Sequence, residues 1–267
     1  MRDKIREYWE ERAKQYSDNL AATTNDVYLR ELEISTIIQT LNEIQLPVRG
    51  NFLDVGCGDG YSLLKVAQAF GNLSFLAIDY SENMIKLAQQ RLESQPDLKG
   101  RVQVRMGDVM ELGQTFHPSL YDVVLSDRCL INLDSFEDQS EAIAQIANRT
   151  KPGGYYIAIE NFTEGHENMN AARRQMGLPE IPVRWHNLYF EEKPFVQCTE
   201  RFFQGVSFKE FSSSYYFATR VIYSAMCQMR GETPDYNHEI HQLAVRLPWV
   251  GGFSPIRMAV MRKKLCQ

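Results

Sequence analysis

The chain opens on two stretches in which apolar residues recur with a helical period. Ile5, Tyr8-Trp9, Ala13 and Tyr16 predict a helix over 3–16. Val27-Tyr28, Leu32, Ile34, Ile37-Ile38 and Leu41 predict a second over 26–43, closed before Pro47. From residue 50 the pattern changes. Short apolar runs (NFLDVG, LSFLAIDY, RVQVRMGD, YDVVLSD and YYIAIENF) alternate with amphipathic segments (GYSLLKVAQAFG, SENMIKLAQQRLESQ and 136–149), with Ser81 placed as an N-cap. Strands alternating with helices imply βαβ units, a parallel sheet and right-handed crossovers. KPGG at 151–154 reads as a turn before the fifth strand. After residue 162 the rhythm breaks: 167–177 reads as helix, 195–211 contains a strand, 215–230 is a helix and SPIRMAVMRKK is a last strand. The resulting division is N-terminal helices over 1–46, an α/β core over 47–163, a cap or insertion over 164–254 that adds part of the sheet, and the final strand and tail over 255–267. The aromatic-rich insertion reads as a cap over a site, since function collects on segments above a rigid sheet; a homodimer interface is the alternative.

Composition narrows the class. Of 267 residues, 44% are hydrophobic and 24% charged, which supports one sizeable core and excludes wholesale disorder. The net charge is -5, the pI is about 5.6, and Lys and Arg form no block, so nucleic acid is a poor partner. The five cysteines are odd in number and lack a CxxC pair, which speaks against a disulfide framework or structural zinc. The N-terminus has no apolar signal core, and no stretch approaches the roughly 18 apolar residues of a membrane span. The expectation is a cytoplasmic protein with no membrane partner.

The chemistry starts in NFLDVGCGDG. Gly56, Gly58 and Gly60 lie between a strand and a helix, where bare backbone and a helix N-terminus favour close approach of a ligand with negative charge. The dinucleotide fingerprint would place a glycine at 61, where Tyr61 stands, and a tight turn explains the glycines equally well. Asp79 ends the next strand, placed to accept hydrogen bonds from ribose hydroxyls. Asp108, in GDVMEL, ends the third and suits an exocyclic amine. Each acid alone is also a plausible helix cap; the ordered set at consecutive strand ends points to an adenosine-containing ligand.

LDVGCGDG, LAIDYSENMIKLAQQ, GDVMEL, YDVVLSD and KPGGYYIAIEN, taken in order, resemble the motifs of class I S-adenosylmethionine-dependent methyltransferases. The resemblance implies a Rossmann-like, seven-stranded, mostly parallel sheet with an antiparallel last strand and helices on both faces. It implies roles as well. Asp54, Gly56, Cys57, Gly58 and Gly60 match the loop around the cofactor's methionine part, and Asp79 the ribose ligand. Tyr80 and Met84 flank the adenine, Gly107, Asp108 and Val109 hold its edge, and Ser126 sits near the methionine amine. Tyr16 and Arg12, from the N-terminal helices, close over the cofactor.

For the acceptor, the (N/D)PP(Y/F) motif of amino-methylating enzymes is replaced by Ser126-Asp127-Arg128-Cys129. Asp127, Glu160 and Asn161 resemble the magnesium ligands of catechol-type O-methyltransferases, but direct bonding to substrate or to Arg128 without metal is the favoured reading. In RWHNLYF, His186 is a general-base candidate beside Asp127, and Trp185, Asn187 and Tyr189, with Arg128, Glu160 and Asn161, are candidates for binding substrate. Tyr215, Tyr216, Phe217 and Tyr223 line either a pocket or the core. Arg173 and Arg174 suit an anion or, better, a solvated helix face, and His117 falls in a surface loop. His166, His238 and His241 give little signal. The expected function is methyl transfer from S-adenosylmethionine, leaving S-adenosylhomocysteine, to a small-molecule hydroxyl of a sugar-like or secondary-metabolite substrate. The alternatives are methylation of a protein or peptide side chain, small-molecule N-methylation, and a non-catalytic cofactor-binding partner subunit.

Overall fold

The structure is a computed structural model and describes residues 1–16, 22–115 and 120–265. Helices α1 (Arg2–Gln15) and α2 (Val27–Glu43) precede an alternating core. That core runs β1 (Gly50–Val55), α3 (Tyr61–Ala69), β2 (Leu73–Asp79), α4 (Glu82–Glu93), β3 (Val102–Met106), α5 (Leu112–Thr115), β4 (Tyr121–Asp127), α6 (Phe136–Arg149) and β5 (Thr150–Asn161). It continues through α7 (Thr163–Gln175), α8 (Glu192–Thr199), β6 (Phe203–Lys209), α9 (Ser213–Tyr216), a π-turn (Phe217–Ile222), α10 (Tyr223–Arg230) and α11 (Ile240–Ala244) to β7 (Ile256–Lys263). The seven strands order as β3-β2-β1-β4-β5-β7-β6. The first five pair in parallel, and β7 runs antiparallel to both β5 and β6. The expected seven-stranded sheet with a reversed last strand is present. No described helix is long and apolar enough to cross a membrane.

Alternation along the strands explains the layers. Phe52, Phe75, Val123 and Ile157 share one buried cluster with α2 and α3, while their neighbours Leu53, Val124, Tyr156 and Ala158 share another with α6 and α8. Both faces are covered, as a largely parallel sheet requires. The sheet's strand ends, the β1–α3 loop and α2 therefore meet on one rim.

Two local readings change. KPGG lies inside β5 rather than before it: Tyr121 pairs with Thr150 and Val123 with Tyr155, so the tetrapeptide is accommodated as an irregularity in the ladder. Gly153 has φ +78, and a Cβ on Gly154 would meet the Asp122 carbonyl at 2.9 Å. The strand expected within 195–211 is β6, and ahead of it runs helix α8, whose Pro194 falls in the first turn, where a missing N–H costs nothing. Helix α7 begins at Thr163, four residues early, and presses Gly165 against the segment entering β7, where an added Cβ would lie 1.8 Å from the Ser254 carbonyl oxygen. Gly165→Ala is expected to cost about 1–3 kcal/mol of stability through overpacking, read as a lowered urea midpoint; an unchanged midpoint would mean that the β7 entry yields freely.

Candidate active site

The β1–α3 loop turns on glycines that cannot be replaced. Gly56, Gly58 and Gly60 all have positive φ, between +54 and +77. An added Cβ would lie 2.5 Å from Cys129 Sγ at Gly56, 2.8 Å from Thr23 Cγ2 at Gly58 and 2.8 Å from Ala88 Cβ at Gly60. The cleared positions thus admit neighbouring protein as well as ligand. Four of the loop's N–H groups are engaged: Gly56 and Cys57 donate to the Ile78 carbonyl, Gly60 to that of Cys57, and Gly58 to Asp79 Oδ2 at 2.9 Å. Asp79 Oδ1 accepts from Ser81, so this carboxylate ties the glycine loop to the start of α4.

Around this loop lies a cavity of about 410 Å³. Of the expected cofactor residues, Asp54, Gly56, Cys57, Gly58, Asp79, Tyr80 and Met84 line it, and of the expected acceptor residues Asp127, Arg128, Asn161, His186, Asn187 and Tyr189 do. Several polar atoms there have no hydrogen-bond partner among the described residues: Thr23 Oγ1, Tyr80 Oη, Asn161 Oδ1, His166 Nδ1 and His186 Nδ1. Buried polar groups are seldom left this way unless something else supplies the partner, and a ligand does so.

The other expected residues are placed differently. Ser126 is fully buried, with Oγ 2.9 Å from Tyr156 Oη and donating to Glu160 Oε1 at 2.8 Å. Glu160 also accepts from the N–H groups of Leu130 and Ile131, so it caps the turn after β4 instead of facing a substrate or completing a metal set with Asp127 and Asn161. Among the described residues no group of His, Cys, Asp and Glu is arranged to hold a metal. Asp108 caps Met110 and pairs with Arg2 of α1 rather than lining the cavity. Gly107 donates to the Asp79 carbonyl, Val109 packs in the core, and Gly60 starts α3. Tyr16 ends α1 beneath Arg12, 4.9 Å from its guanidinium carbon, while Arg12 itself lines the cavity. Trp185 is 57% exposed and edges against His186. Tyr216 lines the cavity, whereas Tyr215, Phe217 and Tyr223 do not. Arg173 is buried, bonded to the Pro179 and Arg220 carbonyls, and Arg174 pairs with Glu180 at the surface. His117 and Cys266 lie outside the described residues.

Charges from α2 brace the site. Arg30 pairs with Asp59 of the glycine loop at 2.6 Å, and Glu33 with Arg128 at 3.0 Å. Arg128 is held at φ 51, alone among the described non-glycine residues, by its N–H to the Ile159 carbonyl and its own carbonyl to Asn132. Its guanidinium also lies 3.5 Å from Asp127. Burial lifts Asp127 above the ordinary carboxylate range, against the pull of Arg128. Burial, with Asp127 and Asp79 nearby, pushes Asp54 up to about 8. Burial raises Asp79 to about 6, opposed by its backbone donors, and Glu160 to about 7. His186 stacks on Tyr8 at 4.6 Å and edges onto Trp9; burial, with Arg184 and Arg12 beside it, lowers it to about 4, so its imidazole is neutral at pH 7. The sequence reading missed Thr23, Arg30, Cys129, His166, Arg184 and Arg220, all of which line the cavity.

Residues 48–189 match the family described as a methyltransferase domain. Demethylmenaquinone methyltransferases of Leptospira interrogans and Lactiplantibacillus plantarum are each 34% identical, over 125 and 170 residues, covering 45% and 62% of this chain and 48% and 68% of those proteins. The chain thus spans about half the length of the Leptospira relative. The magnesium protoporphyrin IX methyltransferase of Synechocystis PCC 6803, solved with bound S-adenosylhomocysteine, superposes with a TM-score of 0.63 at 14% identity over 99% of this chain and 100% of that one, a likeness of fold.

The raised acids make stability depend on pH. Asp54 and Glu160, with Glu33 raised by burial against the pull of Arg128, hold protons in the fold that the unfolded chain, with ordinary carboxylates near 4, releases. Their contribution is complete below about pH 4 and is lost as pH rises through about 7 and 8. His186 has the opposite sign, but its effect lies below its unfolded value of about 6.5. Between about pH 6.5 and 8, the ligand-free protein is expected to lose on the order of 2 kcal/mol in urea unfolding at fixed ionic strength. Stability that stays level over that interval would show these acids to be ionised in the fold.

Proposed function

The chain belongs to the methyltransferase-domain family, and from that premise we propose that it transfers the methyl group of S-adenosylmethionine to a hydroxyl oxygen of a small-molecule acceptor. The observation that carries this reading is one cavity joining the Gly56–Gly58 loop and Asp79 to the unpartnered polar atoms of Asn161, His166 and His186. Bound there, the cofactor supplies a methyl group made electrophilic by its sulfonium. Asp79, buried and facing the cavity, receives ribose hydroxyls; Asp54 and the loop's carbonyl oxygens favour a cationic amine. At this end of the cavity Arg12 and Arg30, the latter shared with Asp59, are the cationic groups suited to the cofactor's carboxylate. Helices α1 and α2 close over this end through Trp9, Arg12 and Arg30.

At the acceptor side, Asp127 and His186 are the groups that take a proton. A carboxylate raised by burial is a stronger base than an ordinary one, whereas His186 is unprotonated at pH 7 but a weaker base than a free imidazole. Fixing the acceptor in line with the methyl is the larger contribution. The volume, about 410 Å³, falls in the roughly 300–1,000 Å³ range of small-ligand sites and favours a small molecule over a protein side chain.

His186→Ala and Asp127→Ala are each expected to lower turnover by about 10²-fold, followed as S-adenosylhomocysteine release, with cofactor affinity near that of the parent. Full activity in either variant would remove that residue from the proton path.

A further inference from the structure

The cationic residues on the cavity wall are not equally neutralised. Arg30 is paired with Asp59, and Arg128 with Glu33 and Asp127. Arg184 lines the cavity from an exposed position, and its side chain has no hydrogen bond or ion pair among the described residues. Arg220 lies between these cases. It projects from the π-turn Phe217–Ile222, a wide turn of the kind that recurs at functional sites. Its main chain is fixed by Arg173, which donates to its carbonyl. Its guanidinium donates to Asp26 Oδ2 and to Thr219 Oγ1, with its carbon 4.5 Å from the Tyr236 ring centroid. Asp26 is itself anchored as the cap of α2, accepting from Leu29, and by the Tyr215 hydroxyl, which also meets His241 Nδ1 at 2.6 Å. A guanidinium has five N–H donors in a planar fork, so Arg220 is held in place with donors to spare.

The carboxylates Asp54, Asp79 and Asp127 stand at the ends of the parallel strands, suited to a cationic cofactor, while Arg184 and Arg220 come from segments after β5. Tyr189, Tyr216 and Met169 supply apolar wall in the same cavity. We infer that the acceptor is an organic carboxylate with an apolar or aromatic body, and that Arg220, assisted by Arg184, receives its carboxylate. Arg220 and Arg184 are then specificity-determining residues, and the Asp26–Tyr215–His241 chain positions Arg220. This rests on the reading of the cavity as the methyl-transfer site.

The test uses the full chain saturated with S-adenosylhomocysteine, titrated with benzoate and, separately, benzamide, which share a ring and differ in charge. Benzoate is expected to bind at least about tenfold more tightly. Arg220→Met is expected to reduce that preference to near one, Arg220→Lys to restore part of it, and Arg184→Met, at an exposed position where folding is not at stake, to reduce it severalfold. Unchanged affinity for S-adenosylhomocysteine certifies each variant as folded. Equal binding of the two probes, no benzoate binding up to about 10 mM, or a preference that survives Arg184→Met and a folded Arg220→Met would each overturn the inference. Failure of the parent protein to bind S-adenosylhomocysteine would instead remove the functional reading beneath it.

Discussion

The site depends on a backbone constraint: the chain between β1 and α3 must pass through left-handed conformations at Gly56, Gly58 and Gly60 with neighbours too close for side chains. Cys129 arrives from the β4 end, Thr23 from the segment before α2, and Ala88 from α4, so one loop sets the spacing of three parts of the fold. Asp79 closes the arrangement by accepting from Gly58 and Ser81, which joins the first two strand ends through one carboxylate. Because the N–H groups of Gly56, Cys57, Gly58 and Gly60 are bonded within the protein, the surface the loop offers is ready before any ligand arrives.

Holding that surface in place brings charge into the interior. Isolated buried charges are costly, and pairing offsets the cost only when geometry is good. Here α2 supplies Arg30 to Asp59 and Glu33 to Arg128, locking the helix to both the glycine loop and the β4 end. Burial, with Asp127 and Asp79 as neighbours, shifts Asp54 upward to about 8, so a cation entering beside it would favour its ionised form. On the proposed placement of the cofactor's amine beside Asp54, uptake would release a proton.

The sequence was most readable where the cause is local. Periodicity located the strands and the helices of the core, and the acids at successive strand ends marked the rim. Asp79 faces the cavity as expected, but Asp108 is engaged by Arg2, a residue 106 positions away that periodicity could not connect to it. Ser126 and Glu160 are placed away from the cavity for a similar reason: strand-end polar residues alternate between cavity and core, and here the Glu160 carboxylate serves backbone N–H groups of the β4–α6 connection. The partners of Arg30 and Glu33 lie in other elements, and the helical pattern of α2 gave no sign that two of its charges are buried. Arg220 had no signal either, since its place is set by Asp26, 194 positions earlier.

The measurement that bears most directly on this account is a calorimetric titration of the protein with S-adenosylhomocysteine in two buffers of different ionisation enthalpy near pH 7. The account predicts one site per chain and a heat that differs between buffers in the sense of proton release, as Asp54 ionises beside the bound amine. Absence of binding would contradict it, and would leave the three glycines as a packing device for Cys129, Thr23 and Ala88 alone.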